Sequence, residues 1–166
     1  MKVLETERLV LREITVDDAE FILRLMNDAS YLKYIGDKGV RSVADAERFI
    51  EDIAMKSYRE NGFGHYIVEL KEDGTPIGTC GYVKRAELED PDIGFAFLPE
   101  YGKKGYALES AGAVLDYGIE KLGFRKVSAI TTQDNENSGR LLAKLGFSFS
   151  RLIEMPNGEK LKLFFN

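Results

Sequence analysis

The sequence of 166 residues predicts an α+β fold, in which helices flank a mixed, mostly antiparallel central sheet in a three-layer α/β arrangement. Three observations predict this class. Apolar residues alternate or run together over strand-length segments, longer segments carry one apolar helical face, and turn residues separate the two kinds. We expect about seven strands and about four helices. Because no repeat, linker or low-complexity segment interrupts the chain, we expect one domain over residues 1–166.

Seven segments have the composition of strands. The first alternates apolar and charged residues, as a half-buried strand does. The turn EDGT joins two others, the segment Pro156-Asn157-Gly158 joins the last two, and both turns are typical of β-hairpins. The predicted strands are Glu7–Ile14, His65–Lys71, Pro76–Lys84, Asp92–Leu98, Lys126–Thr132 and one on each side of residues 156–158.

Four segments have helical character. Thr15 with Asp18, and Ser42 with Asp45, have the spacing of capping boxes, in which side chains at the two positions bond backbone N–H groups at a helix start. The glycine-containing segment Tyr31–Val40 between these helices is predicted to be a loop. The predicted helices begin at Thr15 and run from Ser42 to about Tyr58, from Tyr106 to about Leu122 and from Asn137 to Leu145.

The composition excludes several classes of function. A net charge of −5 and a pI near 5.1 argue against a duplex nucleic-acid binder, which needs a basic face. Cys80 and His65 are the only residues of their types, so we expect no internal disulfide, no cysteine-based zinc site and no metal. No apolar run is long enough to cross a bilayer or to act as a signal peptide. We therefore expect a cytoplasmic enzyme or binding protein without nucleic-acid or membrane partners.

A glycine motif stands where the fourth predicted strand gives way to the long helix. The stretch GKKGYA, residues 102–107, matches neither the phosphate loop of nucleoside triphosphatases nor the dinucleotide fingerprint. Glycines allow close approach of the backbone to a ligand, and the first N–H groups of a helix are unpaired and favour anions. Lys103 and Lys104 add positive charge. The motif predicts a phosphate site, although a glycine turn with solvated lysines would read the same way.

A second motif, DNENSGRLLAKLGF over residues 134–147, follows the next predicted strand. Together with PEYGKKGYALE, TERLVLR and PIGTCGY, it resembles the GCN5-related N-acetyltransferase (GNAT) superfamily, in the branch of the ribosomal-protein N-terminal acetyltransferases, the RimJ/RimL-like enzymes. The resemblance covers nearly the whole chain, and the motifs occur in the family's order. It implies a sheet with a splayed central pair of strands, and acetyl-CoA as co-substrate.

The resemblance also implies where the coenzyme binds. The GKKGYA turn would hold the pyrophosphate, and the splayed strand before it would pair with the pantetheine arm. The chain departs from the family at the first position of the turn, where glutamine or arginine is usual, and one of the two lysines would supply that contact. The implied coenzyme residues are Phe97, Leu98, Gly102, Lys103, Lys104, Gly105, Tyr106, Ala107, Asn135 and Ser138.

Acetyl transfer to an amine needs a neutral amine, a donor to the carbonyl oxygen and a donor to the departing sulfur. The resemblance implies direct attack without an acyl-enzyme, which fits a core position for Cys80. Ser138 is the candidate donor to sulfur, and a capping role at the helix start is its alternative. Asp92 is the candidate group that orients the amine or takes its proton, and its alternative is an exposed aspartate at a strand start. His65 is interpreted as structural.

The acceptor side is expected to include Tyr31, Tyr34, Ile35 and Asp92. The expected acceptor is a primary amine, and the sequence leaves open whether it is a protein N-terminus, a polyamine, an aminoglycoside or an amino acid. A non-catalytic acyl-CoA-binding sensor with the same fold is the alternative function. Dimers are common among such enzymes, so a homodimer is one assembly to test.

Overall fold

The computed structural model describes residues 1–166 and contains one sheet of eight strands in the order β1-β2-β3-β4-β5-β6-β8-β7. Every neighbouring pair is antiparallel except β5 and β6, which run parallel. The strands are β1 Lys2–Glu5, β2 Leu9–Glu13, β3 His65–Leu70, β4 Pro76–Val83, β5 Asp92–Phe97, β6 Ser128–Thr131, β7 Ser148–Glu154 and β8 Lys160–Phe165.

Five helices flank this sheet, and none is long and apolar enough to span a membrane. The third is continuous over residues 43–61 and adopts π-helical geometry in its middle, Ile50–Met55. Short 3₁₀ turns, Val16–Asp18 and Pro99–Tyr101, precede α1 and the GKKGYA turn. The helices are α1 Ala19–Met26, α2 Ala29–Tyr34, α3 43–61, α4 Tyr106–Glu120 and α5 Glu136–Lys144.

The sheet separates two apolar cores, which confirms the predicted three-layer α+β arrangement. On one face, α1 and α3 pack through residues such as Ile22 and Ile50 against Ile67 of β3. On the other face, α4 and α5 pack through Val114 and Leu142 against residues that include Tyr66 and Val68 of β3. Alternate side chains of a strand point to opposite faces, so the same strands supply both cores.

The structure has one strand and one helix more than predicted. β1 has only four residues, and the turn that returns the chain to β2 is tied to α4, where the Glu109 carboxylate accepts from Thr6 Oγ1 at 2.5 Å and from the Arg8 backbone N–H at 3.0 Å. The additional helix α2 begins at Ala29 and overlaps the start of the segment predicted to be a loop, and the Asp28 carboxylate caps it by accepting from the Ser30 N–H at 3.0 Å. Both elements are short, and a tertiary contact fixes the first.

Strands β5 and β6 meet at one register pair, Asp92 with Ser128, and then diverge. β5 bonds to β4 along its whole length, whereas its other edge is unpaired beyond that point. The divergence opens a V-shaped gap near the middle of the sheet, as the resemblance implied. The chain leaves β5 through the GKKGYA turn into α4, so this turn stands at the open end of the gap.

Gly118 is where α4 presses most closely on the sheet. A Cβ built there would lie 2.2 Å from the Tyr82 hydroxyl, which donates to the Val114 carbonyl at 2.7 Å. Gly118→Ala should therefore lower the free energy of unfolding by roughly 2–4 kcal/mol in urea titrations, through overpacking and the loss of this buried bond. Gly112→Ala in the same helix is the control, because its nearest neighbour would be 3.7 Å away. Equal effects of both changes would contradict close packing at Gly118.

Candidate active site

The turn before α4 exposes a row of backbone donors. Gly105, at φ +82, caps the helix, and Lys103, at φ +60, is the only non-glycine residue with a positive φ. No protein group accepts a hydrogen bond from the backbone N–H groups of residues 103–108. Together with the dipole of the 15-residue helix, these donors form a site for an anion. A left-handed lysine costs about 1–2 kcal/mol, and such strain is concentrated at functional sites.

A cleft of about 300 Å³ adjoins these donors. Six of the predicted coenzyme residues line it: Phe97, Gly102, Lys103, Gly105, Tyr106 and Ala107. Arg140 and Lys144 line its opposite wall from α5 and add two cations that the sequence analysis missed. Their i,i+4 spacing, which places them on one helix face, was the available signal. Because three cationic side chains surround unpaired donors, the cleft suits a polyanion.

Two predicted coenzyme residues are placed differently. The Lys104 ammonium lies over the Tyr101 ring, 5.9 Å from its centroid, and does not line the cleft. Leu98 is buried, its N–H donates to the Ile77 carbonyl at 3.0 Å, and its carbonyl accepts from the Tyr101 N–H at 3.0 Å. The backbone groups of Leu98 are therefore occupied within the protein, which differs from the expectation that they face the coenzyme.

The register of β5 identifies which backbone groups are free instead. Residues of an antiparallel strand alternate in the neighbour to which their N–H and C=O groups point. Because Leu98 bonds to β4, the same alternation turns the N–H and C=O groups of Phe97 and Phe95 toward the gap, where β6 has already diverged. Phe97 agrees with the sequence expectation, and Phe95 is the position that it missed.

Arg8 and Glu109 hold the start of α4 against the start of β2. The Arg8 guanidinium donates from Nε to Glu109 at 2.7 Å and lies over the Tyr106 ring, 4.4 Å from its centroid. Both residues belong to motifs that carried the family resemblance. The contact fixes the orientation of the first turn of the helix, and therefore the direction of its free N–H groups.

Ser138 lies in the first turn of α5, but it does not cap the helix. Asn135 is the cap, and its side-chain oxygen accepts from the Ser138 backbone N–H at 3.2 Å. The Ser138 hydroxyl has no hydrogen-bond partner in the protein. It precedes the buried Leu142 by one helical turn, which places it on the sheet-facing side of the helix. The hydroxyl is thus available to a group bound between α5 and the sheet.

Asp92 is buried rather than exposed at its strand start, with 2% of its surface accessible. Arg85, from the connection between β4 and β5, donates from Nε to both carboxylate oxygens at 3.1 and 3.3 Å. Burial raises the pKa of Asp92 to about 6, and the Arg85 charge opposes that rise. The sequence analysis did not assign Arg85 and missed this ion pair, since only the fold brings the two residues together.

Ionisation of Asp92 should reduce the stability of the fold. The pKa of Asp92 is about 6 in the folded protein, against an ordinary value of 3.8. The stabilisation that this difference provides is therefore complete below about pH 4, and it is lost as the pH rises through 6. The free energy of unfolding of the wild type, minus that of Asp92→Asn, should fall by roughly 2 kcal/mol between pH 4.5 and 7.5 in denaturant titrations. In Arg85→Gln the fall should move to higher pH. A difference independent of pH would contradict the raised pKa.

The predicted acceptor residues differ in their surroundings. Tyr31 on α2 is partly buried, and this burial raises the pKa of its hydroxyl. The charge of Arg85 opposes the rise, so the two side chains are near each other. Tyr34 is half-buried beneath the Lys33 ammonium, 4.9 Å from its ring centroid. Ile35 is 44% exposed. Tyr31 therefore lies near the Arg85–Asp92 pair.

Cys80 lies in the core between the sheet and α4 and has no accessible surface. Its burial raises the pKa of the thiol to about 12, so almost none of it is thiolate near neutral pH. This placement agrees with the expected core position. A reaction in the V-shaped gap would have to proceed without a cysteine nucleophile.

The model of the acetyltransferase (GNAT) domain family matches residues 8–148, most of the chain. The uncharacterized N-acetyltransferase YoaA of Bacillus subtilis is 34% identical over 146 residues, which cover 87% of this chain and 82% of that protein. Both findings agree with the motifs at the start of α4 and of α5.

Solved structures show the same fold. A GNAT-family acetyltransferase from Bacillus anthracis superposes with a TM-score of 0.81 at 25% identity, covering 100% of this chain and 98% of that one. RimL, a ribosomal L7/L12 α-N-protein acetyltransferase solved in complex with coenzyme A, superposes with a TM-score of 0.84 at 14% identity, covering 100% and 97%. The sequence match, the fold and the helix-start motifs agree, and the chain belongs to the GNAT family of acetyltransferases.

Proposed function

We propose that the protein is an acetyl-CoA-dependent N-acetyltransferase that acetylates a primary amine by direct attack. The observation that carries the proposal is the row of unpaired N–H groups at residues 103–108, which adjoins a cleft walled by Lys103, Arg140 and Lys144. The diphosphate of acetyl-CoA supplies the charge and the acceptor oxygens that this arrangement lacks. RimL, which has the same fold, was solved with coenzyme A.

The pantetheine arm would extend from this cleft along the free edge of β5. Phe95 and Phe97 present N–H and C=O groups there, so the arm can complete the sheet where β6 has diverged. A backbone N–H at this edge would also polarise the thioester carbonyl. The acetyl group would then lie near the narrow end of the gap, close to Asp92.

In the reaction, the amine nitrogen forms a bond to the acetyl carbon while the bond between that carbon and sulfur breaks. The electron pair leaves on sulfur, the nitrogen loses one proton and the sulfur gains one, so no proton is consumed overall. Ser138 would donate to the departing sulfur, because its hydroxyl has no partner in the protein and faces the sheet. The buried Asp92–Arg85 pair would orient the incoming amine.

The proposal can be tested by thermal-shift titrations with acetyl-CoA, desulfo-CoA and ATP, followed by a free-thiol assay. The amine panel should contain a polyamine, an aminoglycoside, free amino acids and peptides with free N-termini. We expect acetyl-CoA and desulfo-CoA to raise the Tm with increasing concentration, and ATP not to do so. Thiol release with one class of amine would identify the acceptor.

The alternative is a sensor that binds acyl-CoA without transferring the acyl group. The free Ser138 hydroxyl and the buried Asp92 favour the enzyme, since a sensor has no need of either. Stabilisation by acetyl-CoA without thiol release from any amine would support the sensor. No stabilisation would contradict both functions.

A further inference from the structure

The His65 side chain packs against the backbone of glycine residues next to the proposed reaction centre. The side chain starts at β3, passes over Gly81 of β4 and reaches Gly94 of β5. A Cβ built on Gly94 would lie 3.2 Å from Cε1 and 3.3 Å from Nε2 of the imidazole. A side chain at position 94 would press on the ring, which would have to shift by a few tenths of an ångström. The ring thus rests on the strand that borders the V-shaped gap, two residues from Asp92.

The imidazole has no hydrogen-bond partner within the protein, and the residue is only partly buried. Neither ring nitrogen donates to or accepts from any protein group, yet the residue keeps some accessible surface. Its ring nitrogens are not buried, so a group from outside the chain can reach them. A neutral imidazole has one donor and one acceptor nitrogen, and the protein uses neither of them. Both ring nitrogens are therefore free to form hydrogen bonds with a group that enters from outside the chain.

The groups around His65 indicate the protonation state of its imidazole. Enclosure lowers the pKa of His65 to about 4, and the nearby charge of Arg85 acts in the same direction. The ring is therefore neutral near pH 7 and has one lone pair to accept a hydrogen bond. Arg85 also lies near Tyr31 and binds Asp92. Together with His65, these three side chains therefore belong to one region on the α1–α3 face of the sheet.

We propose that His65 binds the acceptor amine: one ring nitrogen accepts a hydrogen bond from the amine N–H and thereby directs the nitrogen lone pair toward the acetyl carbon. This inference rests on the proposed function and adds to it a residue that neither the family motifs nor the sequence analysis assigned. An orienting bond to a neutral imidazole suits the attack, because it positions the neutral amine without adding charge beside it. The proton lost by the amine leaves to solvent.

Substitution at position 65 separates this role from packing. His65→Phe keeps an aromatic ring of similar size and removes both nitrogens, whereas His65→Gln keeps an acceptor near the position of Nε2. We expect His65→Phe to raise the KM for the amine at least tenfold and to leave the acetyl-CoA-induced rise in Tm unchanged. His65→Gln should recover part of the loss. An unchanged amine KM in His65→Phe would overturn the proposal.

A second measurement needs no turnover, because His65 is the only histidine in the chain and its imidazole NMR signals are unambiguous. With coenzyme A present, the amine whose acetylation releases free thiol in the activity assay should shift the His65 Cε1–H signal of the wild type, and the shift should saturate with amine concentration. Acetylation of an amine that causes no such shift would overturn the role of His65 and leave the proposed function standing. No thiol release and no shift with any amine would refute both.

Discussion

Gly105→Glu is expected to abolish binding of acetyl-CoA. Gly105 caps α4 in the left-handed region, and the new side chain would stand among the free N–H groups of residues 103–108. The added carboxylate would both occupy these donors and repel the diphosphate. Charge-assisted hydrogen bonds contribute roughly 1.5–3 kcal/mol each, so we expect at least a ~100-fold loss of affinity, equivalent to ~3 kcal/mol. Isothermal titration with acetyl-CoA measures this loss directly.

Gly74→Glu provides the matched control. Gly74 has φ +74 in the hairpin between β3 and β4, and a Cβ there would have no neighbour within 4 Å. The control thus introduces the same charge and the same left-handed backbone strain far from the cleft. Both variants should lose similar unfolding free energy, while only Gly105→Glu should lose coenzyme binding. Wild-type affinity in Gly105→Glu would refute the assignment of this turn to the diphosphate.

Ser138→Ala is expected to lower kcat by about 100-fold, a typical contribution of a positioned proton donor. The reason is that the thiolate would depart without a donor, whereas the helix would keep its cap, since Asn135 rather than Ser138 provides it. Affinity for acetyl-CoA should stay within about twofold of wild type, because the interaction forms mainly as charge develops on sulfur. Steady-state kinetics with the identified amine, together with calorimetric coenzyme affinity, distinguish the two quantities.

Two further variants sharpen this test. Ser138→Thr retains a hydroxyl and should keep part of the activity. Ser150→Ala removes an exposed serine on β7 and should behave as the wild type. A loss of coenzyme affinity in Ser138→Ala at unchanged kcat would assign the hydroxyl to binding and leave the departing sulfur without this donor.

Local patterns in the sequence predicted most elements because the signals themselves are local. The capping residue Ser42 does start α3, where its hydroxyl accepts from the Asp45 N–H at 3.1 Å. The hairpin turn with Asn157 and Gly158 was predicted for the same reason, since its side chain-to-backbone bond spans two residues. β1 was missed because Glu109, more than a hundred residues away along the chain, holds the turn that creates it.

The lining of the candidate site was predictable where one local motif supplies it, and not where the fold brings distant residues together. Gly102 and Gly105, which line the cleft, belong to such a motif. Arg85 was missed because nothing in its neighbourhood distinguishes it from solvated charges, and only the register of β4 and β5 brings it to Asp92. Phe95 was missed in favour of Leu98, because choosing between them requires the direction of each N–H in the sheet.

The single register pair between β5 and β6 also affects the mechanics of the protein. Five strands stand on one side of this junction and three on the other, joined in the sheet at Asp92 and Ser128 and bridged by α4. Every other pair of neighbouring strands is joined by several register pairs, so this junction is the weakest connection within the sheet. A pantetheine chain bonded along β5 and a diphosphate held between α4 and α5 would fasten the two parts to each other. The ligand would then take the place of a missing strand, and the part of the sheet beyond the junction, including the β7–β8 hairpin, would become more rigid.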